Sequence, residues 1–312
     1  MSIITLNDAS GRSTAQIHAA RGFNCFQFEV KHQQNVIPLL WAVDDFAEGG
    51  GRPSGSGIPL LFPFPGRLPG TTLQWDGREY PLPQGDGMGN AIHGFVIDRP
   101  WRILDQQPDT ATGEFQASVD APELLEQWPA DFRIQATYRL SADALQMDFL
   151  MENPGSTPLP CGFGTHAYFR LPIGGGQAEE CQVAFPVSER WEMEDMIATG
   201  RRIPLDEFED YSSGMAFGSL TLDDVFTGVS FEDGEAEASI LDPLSGHRIV
   251  LRWDDSCPHC VVYTPPHREA ICIEPYTLVP GGLSFQPNGE ETGLRVLAAG
   301  ESCRSSCQIQ LQ

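Results

Sequence analysis

The chain has a single lysine, Lys31, among 312 residues. Schiff-base chemistry would need that amine desolvated in an apolar pocket, and its setting, KHQQ, is polar. Cations are scarce throughout: 19 Lys and Arg face 43 Asp and Glu, a formal charge of −24. A surface of that sign repels phosphate backbones and anionic lipid, so neither nucleic acid nor a membrane is expected as a partner. No apolar run approaches the length that spans a bilayer. The opening MSIITLNDASGRST lacks the basic region and apolar core of a secretory signal. The expectation is a cytoplasmic protein whose eight cysteines are reduced packing residues.

Metal and nucleotide signatures are missing too. CPHC at 257–260 comes nearest, but structural zinc needs a second ligand pair at suitable spacing. Cys303 and Cys307 offer CxxxC and the remaining cysteines are scattered. Val261 and Val262 follow CPHC at once, so packing is the simpler account. The sequence leads us to expect no cofactor and no metal.

Helical periodicity is confined to pieces such as PELLEQW at 122–128 and LDEFEDY at 205–211, too brief for the crossover helices of a parallel α/β sheet. Alternation with a period of two dominates instead. Phe132, Ile134, Ala136, Tyr138 and Leu140 point one way while Arg133, Gln135, Thr137 and Arg139 point the other. Leu145, Met147, Phe149 and Met151 repeat the pattern after SADA at 141–144, which predicts a hairpin. Phe26, Phe28 and Val30, then Ile249, Leu251 and Trp253, then Cys307, Ile309 and Leu311 carry it from end to end. The expected architecture is all-β, a large antiparallel sandwich with a few short helices, formed as one domain over residues 1–312. The Gly-rich stretch AEGGGRPSGSG at 47–57 is read as a loop on the active-site side of that domain.

Three distant segments each carry a group able to move a proton: AIHGFVIDRPW with His93, GFGTHAYFRLP with His166 and AICIEPYTLVP with Glu274. Ile271 and Ile273 alternate with Ala270, Cys272 and Glu274, so the carboxylate faces away from the isoleucines, at a strand end expected to break at Pro275. Each group alone has a bland reading: a solvated glutamate, a buried histidine bonded to a carbonyl, an imidazole capping a turn. Together they would form an acid/base site.

The segments IPLLFPFPGR (58–67), HGFVIDRPW (93–101), GFGTHAYFRL (162–171), LDDVFTG (222–228) and CIEPYT (272–277) resemble, in this order, the signatures of the aldose 1-epimerase, or galactose mutarotase-like, family. The resemblance spans about residues 20–311 and implies the family's supersandwich fold and the interconversion of α and β anomers of an aldose. It implies Glu274 as the base on the anomeric hydroxyl and His166 as the acid on the ring oxygen. His93 and Arg67 would hold and polarise the sugar, and Asp223 would accept hydrogen bonds from it, with Asp224 an alternative by alignment. An unperturbed Glu near about 4.3 is ionised at neutral pH and a His near about 6.5 can carry a proton, which suits these roles.

The sequence departs from the family pattern at two points. HisAla stands at 166–167 where HisPro is frequent, and HisGlyPhe at 93–95 replaces a HisGlyGly form. The second variant also resembles the hexose-6-phosphate 1-epimerase branch, and Arg52, Arg67, Arg78, Arg99 and Arg102 could line a phosphate pocket. A free hexose is the first expectation, a hexose 6-phosphate the second and a non-catalytic sugar binder the third. Glycoside cleavage by Asp223 and Glu274 ranks lower. The protein is expected as a monomer or homodimer.

Overall fold

The structure, a computed structural model, describes residues 3–206, 209–284 and 291–312. Two large antiparallel sheets form its frame. The nine-stranded sheet runs Arg102–Gln106, Thr110–Gln116, Arg133–Leu140, Ala144–Glu152, Ser302–Leu311, Arg248–Asp254, Glu235–Leu241, Gln182–Ala184 and Met215–Ala216. The eight-stranded sheet runs Ile197–Pro204, Glu189–Glu194, Asp223–Thr227, His259–Tyr263, Ala270–Tyr276, Gly164–Thr165 and Leu60–Leu61, with Ala167–Arg170 also paired to Ala270–Tyr276. A four-stranded sheet, Ile3–Asn7, Ser13–His18, Asn24–His32 and Asn35–Pro38, adds to them.

Alternation explains why these segments are strands. Phe132, Ile134, Ala136, Tyr138 and Leu140 are all buried, and the opposite face carries Arg133, which binds Glu152 across the pair at 2.9 Å. The expected hairpin closes with Leu140 opposite Leu145. One buried cluster joins Ile134, Tyr138, Phe149 and Ile309 of the nine-stranded sheet to Phe169, Phe226, Val262, Ile271 and Ile273 of the eight-stranded one. The two sheets therefore share a core, as a sandwich requires.

Helix is sparse among the described residues. Ala117–Asp120 makes a single α-helical turn, and PELLEQW forms a short 3-10 helix, Pro122–Glu126, that buries Leu124. The predicted piece at 205–211 includes residues 207 and 208, which lie outside the described set; its last residue opens the 3-10 turn Tyr211–Ser213.

Pro275 does not end its strand, contrary to expectation: Ala270–Tyr276 continues through it, with Pro275 opposite Cys260 and Tyr276 opposite His259. Its missing N–H is tolerated because the neighbouring ladder is interrupted at that level. Gly164–Thr165 and Ala167–Arg170 flank the interruption, and between them the His166 N–H donates to Pro59 O at 3.0 Å.

Candidate active site

The eight-stranded sheet has one face on the core and another turned away from it. On Ala270–Tyr276 the core takes Ile271 and Ile273, so Cys272, Glu274 and Tyr276 share the other face. Neighbouring strands repeat the division: Phe226 and Val262 face inward, while Asp223, Val225, Val261 and Tyr263 line a cavity of about 220 Å³. Ala167 and Phe169 face the core, leaving His166 and Tyr168 on the cavity wall. The register that pairs Gly164 with Tyr276 and Ala167 with Ile273 sets His166 level with Glu274.

The result is a contact of 3.3 Å between His166 Nδ1 and Glu274 Oε1. Glu274 is 1% exposed and His166 7%, and neither of these two facing atoms has a hydrogen-bond partner. Glu274 Oε2 accepts from the Tyr276 hydroxyl at 2.7 Å. The His166 ring stacks on Tyr168, centroids 4.9 Å apart and planes 1° from parallel. Tyr168 is held in turn by donation to Ser54 O at 3.0 Å.

Burial sets the electrostatics. It pushes the Glu274 carboxyl well above the usual carboxylate range, against the opposing pull of the Tyr276 hydrogen bond, with the negative charge of Asp223 adding to the rise. It pushes His166 well below the ordinary histidine value. Both groups thus favour their neutral forms, which differs from the unperturbed values assumed from sequence. A protonated glutamic acid beside a neutral imidazole carries the same number of protons as a glutamate beside an imidazolium. The pair therefore shares one proton between two arrangements.

His93 also reaches the cavity. Its backbone is left-handed, φ +63°, and its N–H donates to Gly66 O at 2.8 Å. Gly94 follows at φ +71°, where an added Cβ would lie 2.1 Å from Phe62 O, so only glycine fits. The His93 ring meets His166 edge to face at 5.6 Å. Its buried Nδ1 has no partner, so it does not cap the turn. Burial first, then electrostatic coupling to the neighbouring His166 and to the Arg67 charge, holds His93 well below the ordinary value, hence neutral.

Arg67 is aimed by Asp86, whose Oδ2 lies 3.2 Å from Nε. Burial would raise Asp86, but hydrogen bonds from Asn90 and Met88 and the Arg67 charge outweigh it and hold the carboxyl at about 2. Asp223, and not Asp224, lines the cavity. Although its surface is exposed at the rim, packing raises its carboxyl, the Arg67 charge opposes this and Asp224 adds to it.

All five residues singled out in the sequence, Arg67, His93, His166, Asp223 and Glu274, meet in this cavity. Of the five arginines considered for a phosphate, Arg52 and Arg67 reach it. Arg99 is engaged by Glu123 at 2.8 Å and Arg102 by Glu114 at 2.6 Å and Asp120 at 2.8 Å, and Arg78 sits in the Thr72–Trp75/Arg78–Pro81 hairpin, away from the lining. Sequence reasoning missed Tyr168, Tyr263, Tyr276, Met193 and Met196, which also line it. The first and third stand two residues beyond His166 and Glu274, so the period of two carried their signal. Met193 lies near the end of Glu189–Glu194 and Met196 in the turn that leads to Ile197–Pro204, and neither had such a signal.

CPHC is packed. His259 Nδ1 lies 3.2 Å from Thr227 Oγ1 and Nε2 3.2 Å from Thr292 O, while Cys257 and Cys260 are buried. All eight cysteines are free and buried. No helix among the described residues is long and apolar enough to cross a membrane.

Sheet order, shared core and the face that carries the cavity define a galactose mutarotase-like fold. A galactose mutarotase-like protein from Clostridium acetobutylicum superposes with a TM-score of 0.84 at 23% identity, over 97% of this chain and 93% of the other. The GalM/aldose epimerase homologue from C. elegans gives 0.80 at 17%, over 100% and 98%. The uncharacterized protein YphB of Escherichia coli K12 is 23% identical over 300 residues, 92% of this chain and 96% of its own. The aldose 1-epimerase family profile matches residues 4–310, and the chain belongs to that family.

Proposed function

We propose that the protein is an aldose 1-epimerase that opens and recloses the ring of a free hexose, working as a single domain in the cytoplasm. The observation that carries this reading is the facing pair, His166 Nδ1 and Glu274 Oε1, unpartnered at 3.3 Å on the cavity wall. Anomer interconversion needs one proton removed from O1 and one delivered to O5, with C1–O5 breaking as the C1–O1 double bond forms. A pair that holds one proton in two arrangements can do this without exchange with solvent.

Glu274, ionised, takes the proton from O1. His166, protonated, gives its proton to O5 through Nε2, the nitrogen turned away from Glu274. The pair is left as a glutamic acid beside a neutral imidazole, the arrangement that burial favours. Rotation about C1–C2 presents the other face of the aldehyde, and the two transfers reverse. Positioned acid and base groups typically contribute about 10²- to 10⁴-fold each. Neutral His93 and the terminal nitrogens of Arg67 donate to the sugar oxygens, and Asp223 accepts from its hydroxyls.

A phosphorylated aldose is a second reading, favoured by one feature. The Arg52 side chain lines the cavity with no ion pair or hydrogen bond among the described residues, so its charge can meet an anionic group. Magnetisation-exchange NMR between anomers of glucose, galactose and glucose 6-phosphate tests both readings. Faster exchange of a free hexose, lost in Glu274→Gln, supports the first. Selective acceleration of the phosphosugar, lost in Arg52→Ala, replaces it with the second. Exchange no faster than buffer across a broad aldose panel leaves a non-catalytic binder.

A further inference from the structure

On Ala270–Tyr276 the period of two sets Cys272 on the same face as Glu274, and cross-strand pairing places Tyr168 opposite it. The thiol of Cys272, a ring nitrogen of His166 and a carboxylate oxygen of Glu274 all lie within 4.8 Å of one another, and all three residues are buried. Among the described residues this is the one group of three His, Cys, Asp or Glu side chains brought so close. CPHC does not compete, since His259 spends both ring nitrogens on Thr227 and Thr292.

Two of the potential donors, His166 Nδ1 and Glu274 Oε1, are sealed from solvent without a hydrogen bond and stand 3.3 Å apart. Tetrahedral zinc, with bonds of roughly 2.0–2.2 Å to nitrogen and oxygen, separates two such ligands by about 3.3–3.5 Å. The Cys272 sulfur, which would bond zinc at about 2.3 Å, lies within 4.8 Å of a ring nitrogen and a carboxylate oxygen of this pair.

We infer that His166, Cys272 and Glu274 form a binding site for a borderline-soft divalent cation, Zn²⁺ by preference. The mixed sulfur, nitrogen and oxygen set selects against Mg²⁺ and Ca²⁺, which take oxygen ligands. One thiolate and one carboxylate balance the ion's charge, so the loaded site is neutral, as a site shut off from water requires. The ion occupies both groups that are proposed to move protons, so loading stops anomer exchange. That consequence rests on the proposed function; the binding does not.

The test uses chelator-stripped full-length protein, equilibrium dialysis against Zn²⁺, and Co²⁺ as a spectroscopic probe. The expected result is stoichiometric zinc and a thiolate-to-cobalt charge-transfer band. Cys272→Ala should lose the band and weaken zinc binding at least tenfold while keeping the wild-type melting temperature and anomer exchange. If the alanine variant folds poorly, Cys272→Ser is read in the same way, and Glu274→Gln is read by zinc affinity alone, which should also fall at least tenfold. Zinc should slow exchange in wild type far more than in Cys272→Ala. Absence of stoichiometric zinc, or equal affinity and band in wild type and Cys272→Ala, overturns the site. If no sugar is turned over at all, dialysis and the cobalt band still decide the metal question.

Discussion

Replacing Tyr276 by phenylalanine removes one hydroxyl, the donor at 2.7 Å to Glu274 Oε2 and the one hydrogen bond that this buried carboxylate receives among the described residues. The donor favours the ionised glutamate, the form that must take the proton from O1. A hydrogen bond to a charged group is worth about 1.5–3 kcal/mol, and each 1.4 kcal/mol, roughly, is tenfold in the population of the reactive arrangement. The plateau rate of anomer exchange should therefore fall about 10- to 100-fold. The alkaline limb should move the other way. Glu274 already stands well above the usual range through burial, and loss of the donor raises it further, so the singly protonated pair persists to pH values about 1–2 units higher. Exchange NMR across a pH series, with circular dichroism to verify folding, reads both effects. A Tyr276→Phe plateau within twofold of wild type would refute the reasoning that an ionised Glu274 is the working base.

Asp86→Asn should raise KM for the sugar about tenfold, about 1.4 kcal/mol, with kcat moved less, because Arg67 loses the carboxylate that aims its guanidinium; steady-state kinetics separate the two. Gly94→Ala should destabilise the fold by about 2–4 kcal/mol, since its Cβ would meet Phe62 O at 2.1 Å in a left-handed backbone; thermal melts check this. Burial lowers His259 to about 4, so the unfolded chain binds its proton first. The stability that comes from keeping His259 neutral is complete above about pH 6.5 and falls as the pH drops toward 4, by about 2 kcal/mol at pH 5. Urea melts at pH 7 and pH 5 should show a shallower loss in His259→Gln than in wild type.

What could be read from the sequence follows from the period of a strand. Alternation fixes which side chains share a face, so the inward Ile271 and Ile273 already implied an outward Glu274, and Phe132 to Leu140 implied a half-buried strand. The same rule, applied two residues further, would have found Tyr168 and Tyr276. Ionisation states were not legible. The proton affinities of Glu274 and His166 depend on the water excluded by Tyr168, Tyr276 and the neighbouring strands, which come together only in the fold. Ion pairing was equally hidden: nothing local to Arg99 or Arg102 shows that Glu123, Glu114 and Asp120 claim them. Arg52 lies in an irregular Gly-rich loop, where no periodicity points a side chain anywhere. Pro275 misled because the interrupted ladder that excuses it is made by residues more than a hundred positions away.

The central claim is that His166 and Glu274 act as one proton-sharing unit in anomer interconversion. It is tested most directly by anomer exchange in a double-mutant cycle of His166→Asn, Glu274→Gln and the double variant. Groups that work as a unit are strongly non-additive. The account predicts that each single variant loses nearly all of the acceleration and that the double variant loses little more. Independent, additive losses, or a Glu274→Gln protein that still exchanges anomers at the wild-type rate, would contradict it.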